Sequence, residues 1–197
     1  MTALARPLHP ARAIAGPLAL APGRLHEGCG AARHTWAMLV AGALSGPVLW
    51  IAPAWATDRP DPCGIAPWAE PGRLIFVTPD HRPDLLSCME EALRSGAVPL
   101  VVADLPAAPG LTPVRRLHLA AEEGSSRAAR PPLGLILTPG EGGAPGVESR
   151  WHMAPDHLAQ ADRWHLARRR DRSAPPAEWR LSGGPGARPG TWAVEQM

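Results

Sequence analysis

The sequence contains no lysine, and all 20 of its basic residues are arginines. Every mechanism built on a lysine is thereby excluded. That covers Schiff-base chemistry and a working phosphate-binding loop of the G-x-x-x-x-G-K-[ST] type. Cysteine is scarce: Cys29, Cys63 and Cys88 lie far apart and form no C-x-x-C pair. This argues against a zinc site or a disulfide framework and fits a reducing, cytoplasmic compartment. None of the eight histidines makes an H-x-x-x-H or H-E-x-x-H ligand pair, and no Ser/His/Asp or Cys/His pairing stands out. No metal, cofactor or catalytic residue is expected. The net charge of +2 gives the whole molecule little pull on nucleic acid, which leaves room only for a local basic patch.

The chain's 197 residues suit one α/β domain, and its 25 prolines and 20 glycines cluster between periodic segments, as loops do. Residues 1–22 mix Ala, Pro, Leu and Arg without a clean period and read as a flexible N-terminal extension, with room for one short helix. Residues 23–197 read as a single domain. Its organising stretch is Arg73 to Leu105. Leu74–Val77 is a short β-forming run, and Asp80 is a candidate helix cap, with Pro83 in the first turn. Leu85, Leu86, Met89, Ala92 and Leu93 follow at helical spacing, and Gly96 supplies a left-handed stop. Val98–Ala103 is then an unbroken apolar run, as in a strand buried on both faces of a parallel sheet, with Asp104 at its end. The unit reads as a βαβ crossover with an acid at the sheet edge where ligands of open α/β folds bind.

Trp36–Ala56 is uncharged over 21 residues and resembles a membrane span or export signal. Gly46-Pro47 and Pro53 break it instead into a helix, roughly residues 32–44, and a strand, Val48–Ala52. No membrane association is expected. Thr112-Pro113 opens another helix, with Gly124 just past its end, and Leu133–Leu137 is a third buried strand. His118 on that helix reads as a solvated or capping residue. Beyond Gly146 come four short alternating segments carrying Trp151, Trp164, Trp179 and Trp192. They suggest antiparallel strands on the sheet edge, with the tryptophans as core anchors. Arg168-Arg169-Arg170 is the densest positive run; it is either a DNA or partner contact or a solvated loop.

Placed in this order, the elements resemble the ImuA family of bacterial RecA-like proteins. The resemblance rests on Gly23–Glu27, Pro47–Ile51, Glu91–Val98, Val101–Asp104, Arg115–Glu122, Ser149–Trp151 and Arg188–Glu195, covering about residues 23–195. It implies a RecA-like, mostly parallel sheet flanked by helices, with C-terminal antiparallel edge strands. It also implies a degenerate nucleotide site. The phosphate-loop position reads Gly28-Cys29-Gly30-Ala31-Ala32-Arg33-His34-Thr35, with Arg33 or His34 where the lysine belongs. Neither replaces lysine in that cradle. The position of the catalytic glutamate falls near Pro53, and only Asp104, at the Walker B position, keeps its chemistry. The vestigial site is thus Gly30, Arg33, His34, Thr35 and Asp104.

The resemblance implies a non-catalytic adaptor in SOS-inducible, error-prone translesion DNA synthesis. Its partners would be an ImuB-type protein, an error-prone DNA polymerase, RecA or a copy of itself, and DNA directly or through these. Two alternatives predict other behaviour: an active RecA-like ATPase would depend on Asp104, and an exported or membrane-anchored protein on residues 36–56.

Overall fold

A computed structural model describes residues 10–159, 161–183 and 192–197. It is a mixed α/β fold with a nine-stranded, mostly parallel sheet and four α-helices. In chain order the elements are β1 Arg12–Ala15, β2 Leu18–Leu20, β3 Leu25–Cys29, α1 Arg33–Gly42, β4 Val48–Ile51, α2 Pro62–Ile65 and β5 Leu74–Val77. Then follow α3 Arg82–Ser95, β6 Leu100–Asp104, α4 Leu111–Arg127, β7 Leu133–Thr138, β8 Ser149–Pro155, β9 Asp162–Asp171, β10 Ala177–Gly183 and β11 Ala193–Gln196. The large sheet runs β11-β10-β9-β8-β3-β7-β6-β4-β5. Its pairings from β8 through β5 are parallel, and those from β8 to β11 antiparallel.

The unbroken apolar runs are explained by two cores, one on each face. Leu100 and Val102 of β6 and Leu133, Leu135 and Leu137 of β7 join the core beneath α1. Val101, Ala103 and Ile136 turn the other way and pack under α3 and α4. Alternation reappears at β8–β10, where Trp151, Met153, Trp164, Leu166, Trp179 and Leu181 all join the α1-side core. The tryptophans are core anchors: Trp36 of α1 stacks on Trp151 at 5.0 Å, and Trp68 on Trp192 at 3.9 Å.

The helix and strand read in residues 36–56 are present as α1 and β4. Among the described residues, no helix is long and apolar enough to cross a membrane. Several other expectations need correction. Residues 12–20, placed in a loose extension, form an antiparallel hairpin whose Leu18 and Leu20 are buried in the α1-side core. Two alternating leucines were too short a signal beside the prolines; residues 1–9 lie outside the described residues. β5 and β6 are parallel but not neighbours, because β4 lies between them. The α3 crossover therefore spans an intervening strand and leaves β5 at the sheet edge. Asp80 is not the cap of α3; His81 holds that place, without a side-chain hydrogen bond.

Gly124 does not end α4. The helix runs on to Arg127, and a Cβ at Gly124 would stand 1.9 Å from the Leu93 carbonyl oxygen. The glycine lets α4 touch the C-terminal end of α3. Gly96, by contrast, is the left-handed cap expected, at φ 65°. Finally, β8 is not purely an antiparallel addition: it pairs parallel to β3 and antiparallel to β9.

Candidate functional site

Parallel strands deliver the ends of β3, β4, β6 and β7 to one edge. Asp104, the last residue of β6, is 7 % exposed there. The connection from β3 to α1 is only Gly30 to Ala32, so α1 starts immediately over that edge. Its first two residues turn onto Asp104. Arg33 Nε donates to Oδ1 at 3.3 Å, and His34 Nε2–H donates to Oδ2 at 2.7 Å. The His34 ring also meets Trp50 edge-on at 5.6 Å. The family resemblance grouped Gly30, Arg33, His34, Thr35 and Asp104; the structure sets Arg33 and His34 on Asp104, while Gly30 lies in the loop against Met153. Thr35 lies in the same first turn of α1 but takes no part in the Asp104 cluster.

The chemistry of this corner is closed on itself. Charge-assisted hydrogen bonds are the strong ones, and here one carboxylate engages both candidates for the lysine position. Three of the amides here are engaged too. Gly30 N–H donates to Gly140 O at 2.8 Å, Ala32 N–H to Met153 O at 3.0 Å, and Arg33 N–H to Gly30 O at 3.3 Å. A phosphate cradle needs such amides turned toward the ligand. Gly30 has φ +93°, and a Cβ there would lie 2.3 Å from Met153 O. The glycine makes room for β8, not for an anion. Gly28 likewise makes room for Trp36, whose Cδ1 would be 2.7 Å from a Cβ.

Beside Asp104 opens a cleft of about 210 Å³. Pro53 lines it, at the place where the resemblance puts a catalytic glutamate, together with Arg33, Trp55 and Asp58. Trp55 is 47 % exposed. Trp55 and Asp58 were missed from sequence because they lie in a Pro-rich connection without period. No group of three or more His, Cys, Asp or Glu among the described residues is placed to hold a metal ion.

A second carboxylate went unread. Glu27, inside β3, is fully buried. Its Oε1 accepts from Thr138 Oγ1 at 2.7 Å, Gly143 N at 2.9 Å and Ala144 N at 3.1 Å. Its Oε2 accepts from Arg150 Nε at 2.5 Å. Glu27 thus ties the loop after β7 to the sheet. Every residue of β3 is buried, but Leu-His-Glu-Gly-Cys carries no apolar run that would announce a buried strand. Next to it, burial and the Glu27 carboxylate push the Cys29 thiol up to about 12, which leaves it unreactive.

Two histidines lie at the opposite edge. His118 is not solvated but 4 % exposed: Nδ1 accepts from Leu25 N at 3.3 Å, and Nε2–H donates to Gly146 O at 3.2 Å. His26 Nε2–H donates to Ala21 O at 2.9 Å, while Nδ1 meets the Ser149 hydroxyl at 2.6 Å. Burial pushes both imidazoles down to about 4. They are neutral, satisfied structural groups.

The arginine run is neither a loop nor one patch. It lies in β9 and is divided by a bulge: Arg168 faces Trp151 and Arg170 faces Arg150, with Arg169 left over. The Arg168 guanidinium lies over Trp179 and Trp151, 5.1 and 5.7 Å from the ring centroids, and donates to Pro175 O at 3.0 Å. Arg169 and Arg170 are exposed, and Arg169 reaches Glu141 at 3.5 Å. Only these two remain available to a ligand.

No protein-family model matches the sequence, and comparison with curated proteins gives no match. Among solved structures, the chain is similar to the crystal structure of SulA from Pseudomonas aeruginosa. The identity is 20 %, the match covers 59 % of this chain and 98 % of that one, and the TM-score is 0.46.

Proposed function

We propose that this chain is a RecA-like, non-catalytic accessory factor of damage-inducible, error-prone translesion DNA synthesis. It would act in the cytoplasm with an ImuB-type protein and an error-prone DNA polymerase. The ordered motifs over residues 23–195 suggest the family. The observation that carries the non-catalytic part is the Asp104 corner, where Arg33 and His34 occupy the carboxylate. A nucleotide could recruit Arg33 Nε or His34 Nε2 only by breaking these bonds. Each 1.4 kcal/mol so spent weakens its binding about tenfold. A scaffold freed from hydrolysis is suited to hold partners, RecA or a second copy among them. DNA contact, if direct, falls to Arg169 and Arg170, since Arg168 is engaged with tryptophans.

Two measurements test this reading. The purified protein should show neither ATP turnover nor a thermal shift with Mg-ATP, and Asp104→Asn should not change that. Turnover that Asp104→Asn abolishes would establish an ATPase instead. The tagged protein should co-purify with an ImuB-type protein and an error-prone polymerase from DNA-damaged cells. Their absence from a well-expressed sample would remove the translesion role.

A further inference from the structure

We propose that the outward face of α4 is a two-fold interface through which two copies of this chain associate, helix against antiparallel helix. The inference stands apart from the translesion reading: a monomer would leave that reading intact, and a failed co-purification would leave the dimer intact.

α4 turns Val114, Leu117, Ala121 and Gly124 inward. The opposite arc carries Arg115, Arg116, Leu119, Glu122 and Glu123, all exposed. Leu119 lies at its middle and is 64 % exposed, more than any other large apolar side chain among the described residues. A single exposed leucine is ordinary, but the charges near this one are arranged about it. Arg115 and Glu123 stand four residues to either side of it, and Arg116 and Glu122 three. A two-fold axis through Leu119 reverses both the direction along the helix and the side of it. At about 3.6 residues per turn, Arg115 of one copy then faces Glu123 of the other, and Arg116 faces Glu122. Symmetry repeats each pair, so opposite charges ring a leucine–leucine contact. Parallel, in-register pairing sets arginine on arginine and glutamate on glutamate instead.

The stability of the lone helix does not explain this order. The helix dipole and ion pairs along one helix both favour acids ahead of bases, whereas here the arginines come first. Contacts within the chain leave the face open. Glu122 pairs with Arg24, Glu123 with Arg94 and Arg127, and Arg116 with Glu90. These pairs steady the side chains without covering them, and a carboxylate accepts from more than one donor. Arg115 enters no ion pair among the described residues. One helix pair buries less than the about 1,200 Å² of a standard interface, so the dimer is weak, with a dissociation constant on the order of 10 µM.

Sedimentation of the full-length protein should show that monomer–dimer equilibrium, weakened at least about fivefold between about 50 and about 500 mM salt. Leu119→Asp, at an exposed position, should fold and remain monomeric. Arg115→Glu with Arg116→Glu makes the face wholly acidic, and Glu122→Arg with Glu123→Arg makes it wholly basic. Each should be monomeric alone, and an equimolar mixture should dimerise. Register is read by oxidation in a chain with Cys63→Ser and Cys88→Ser. Leu119→Cys should cross-link there, because the axis brings the two positions together, and Arg127→Cys at the helix end should not. A wild-type monomer at about 200 µM overturns the proposal. So does a dimer that Leu119→Asp leaves intact, or cross-linking of Arg127→Cys as readily as of Leu119→Cys. Should the basic variant fail to fold, having lost the partners of Arg24 and Arg94, the two Leu119 variants decide alone.

Discussion

Replacing Glu27 by alanine tests whether one buried carboxylate holds the loop after β7. The carboxylate is fully buried and accepts from Thr138, Gly143, Ala144 and Arg150. Alanine leaves those donors facing a void and strips Arg150, whose side chain is 19 % exposed, of its counter-charge. Removing one partner of a buried pair costs about 3–5 kcal/mol. Arg150 keeps its bond to Ala144 O, and the half-open loop admits water to some donors, so a value near 3 is expected. That is a large part of the about 5–15 kcal/mol that stabilises a domain. Glutamine should cost less, about 1–3 kcal/mol, because its amide N–H₂ must face a donor in either flip. Urea melts give both values. Hydrogen exchange should show amides of residues 139–146 losing protection. Glu27→Ala combined with Arg150→Met should be less damaging than the sum of the two changes, since it removes the stranded charge. A Glu27→Ala cost below about 1 kcal/mol with unchanged exchange would refute the reasoning.

Five other outcomes are expected. Gly124→Ala should destabilise by about 1–3 kcal/mol in urea despite alanine's better helix propensity, because its Cβ would meet the Leu93 carbonyl. Gly64→Ala in α2, where nothing lies within 4 Å of the new Cβ, should be neutral or stabilising. Stability should fall as the pH drops from 7 to 5. His26 and His118 titrate near 6.5 unfolded but near 4 folded, so the unfolded chain binds more protons in that window. The loss is about 2 kcal/mol for each histidine; Glu148, whose burial raises its pKa, works in the opposite sense. A flat stability profile there would contradict the buried-neutral assignment. Arg168→Ala should cost about 1–2 kcal/mol through its lost stacking and hydrogen bond. Arg170→Ala, opposite Arg150, should be neutral or slightly stabilising in the same melt.

Legibility tracked the length of each signal. The apolar runs at 98–103 and 133–137 declared strands because both faces are covered, the β-forming run at 74–77 declared one although its Ile75 and Phe76 are exposed, and breakers at Gly46-Pro47 and Pro53 cut residues 36–56 correctly. The alternating tryptophan segments declared one-sided strands. Short or polar signals failed. The hairpin at 12–20 shows only two core leucines, and α2 sits in a proline-rich stretch with its Asp61 cap unread. At the site, the family resemblance put a degenerate phosphate loop at residues 28–35, where Gly28 and Gly30 serve the packing of Trp36 and Met153.

The amino-acid sequence alone determined the element types and the chemistry ruled out by absent lysine, because these depend on local periodicity and on residue identity. Which strands are neighbours was decided in three dimensions. Inserting β4 between β5 and β6 is a matter of sheet packing, and it turned a run read as part of a crossover into an open edge. The partners of charges were likewise a tertiary matter. Arg33 and Asp104 are 71 positions apart, as is plain from their numbers, and Glu27 and Arg150 are farther still. The β3–β8 register sets Glu27 beside Arg150, and the short turn from β3 into α1 lays Arg33 on the end of β6.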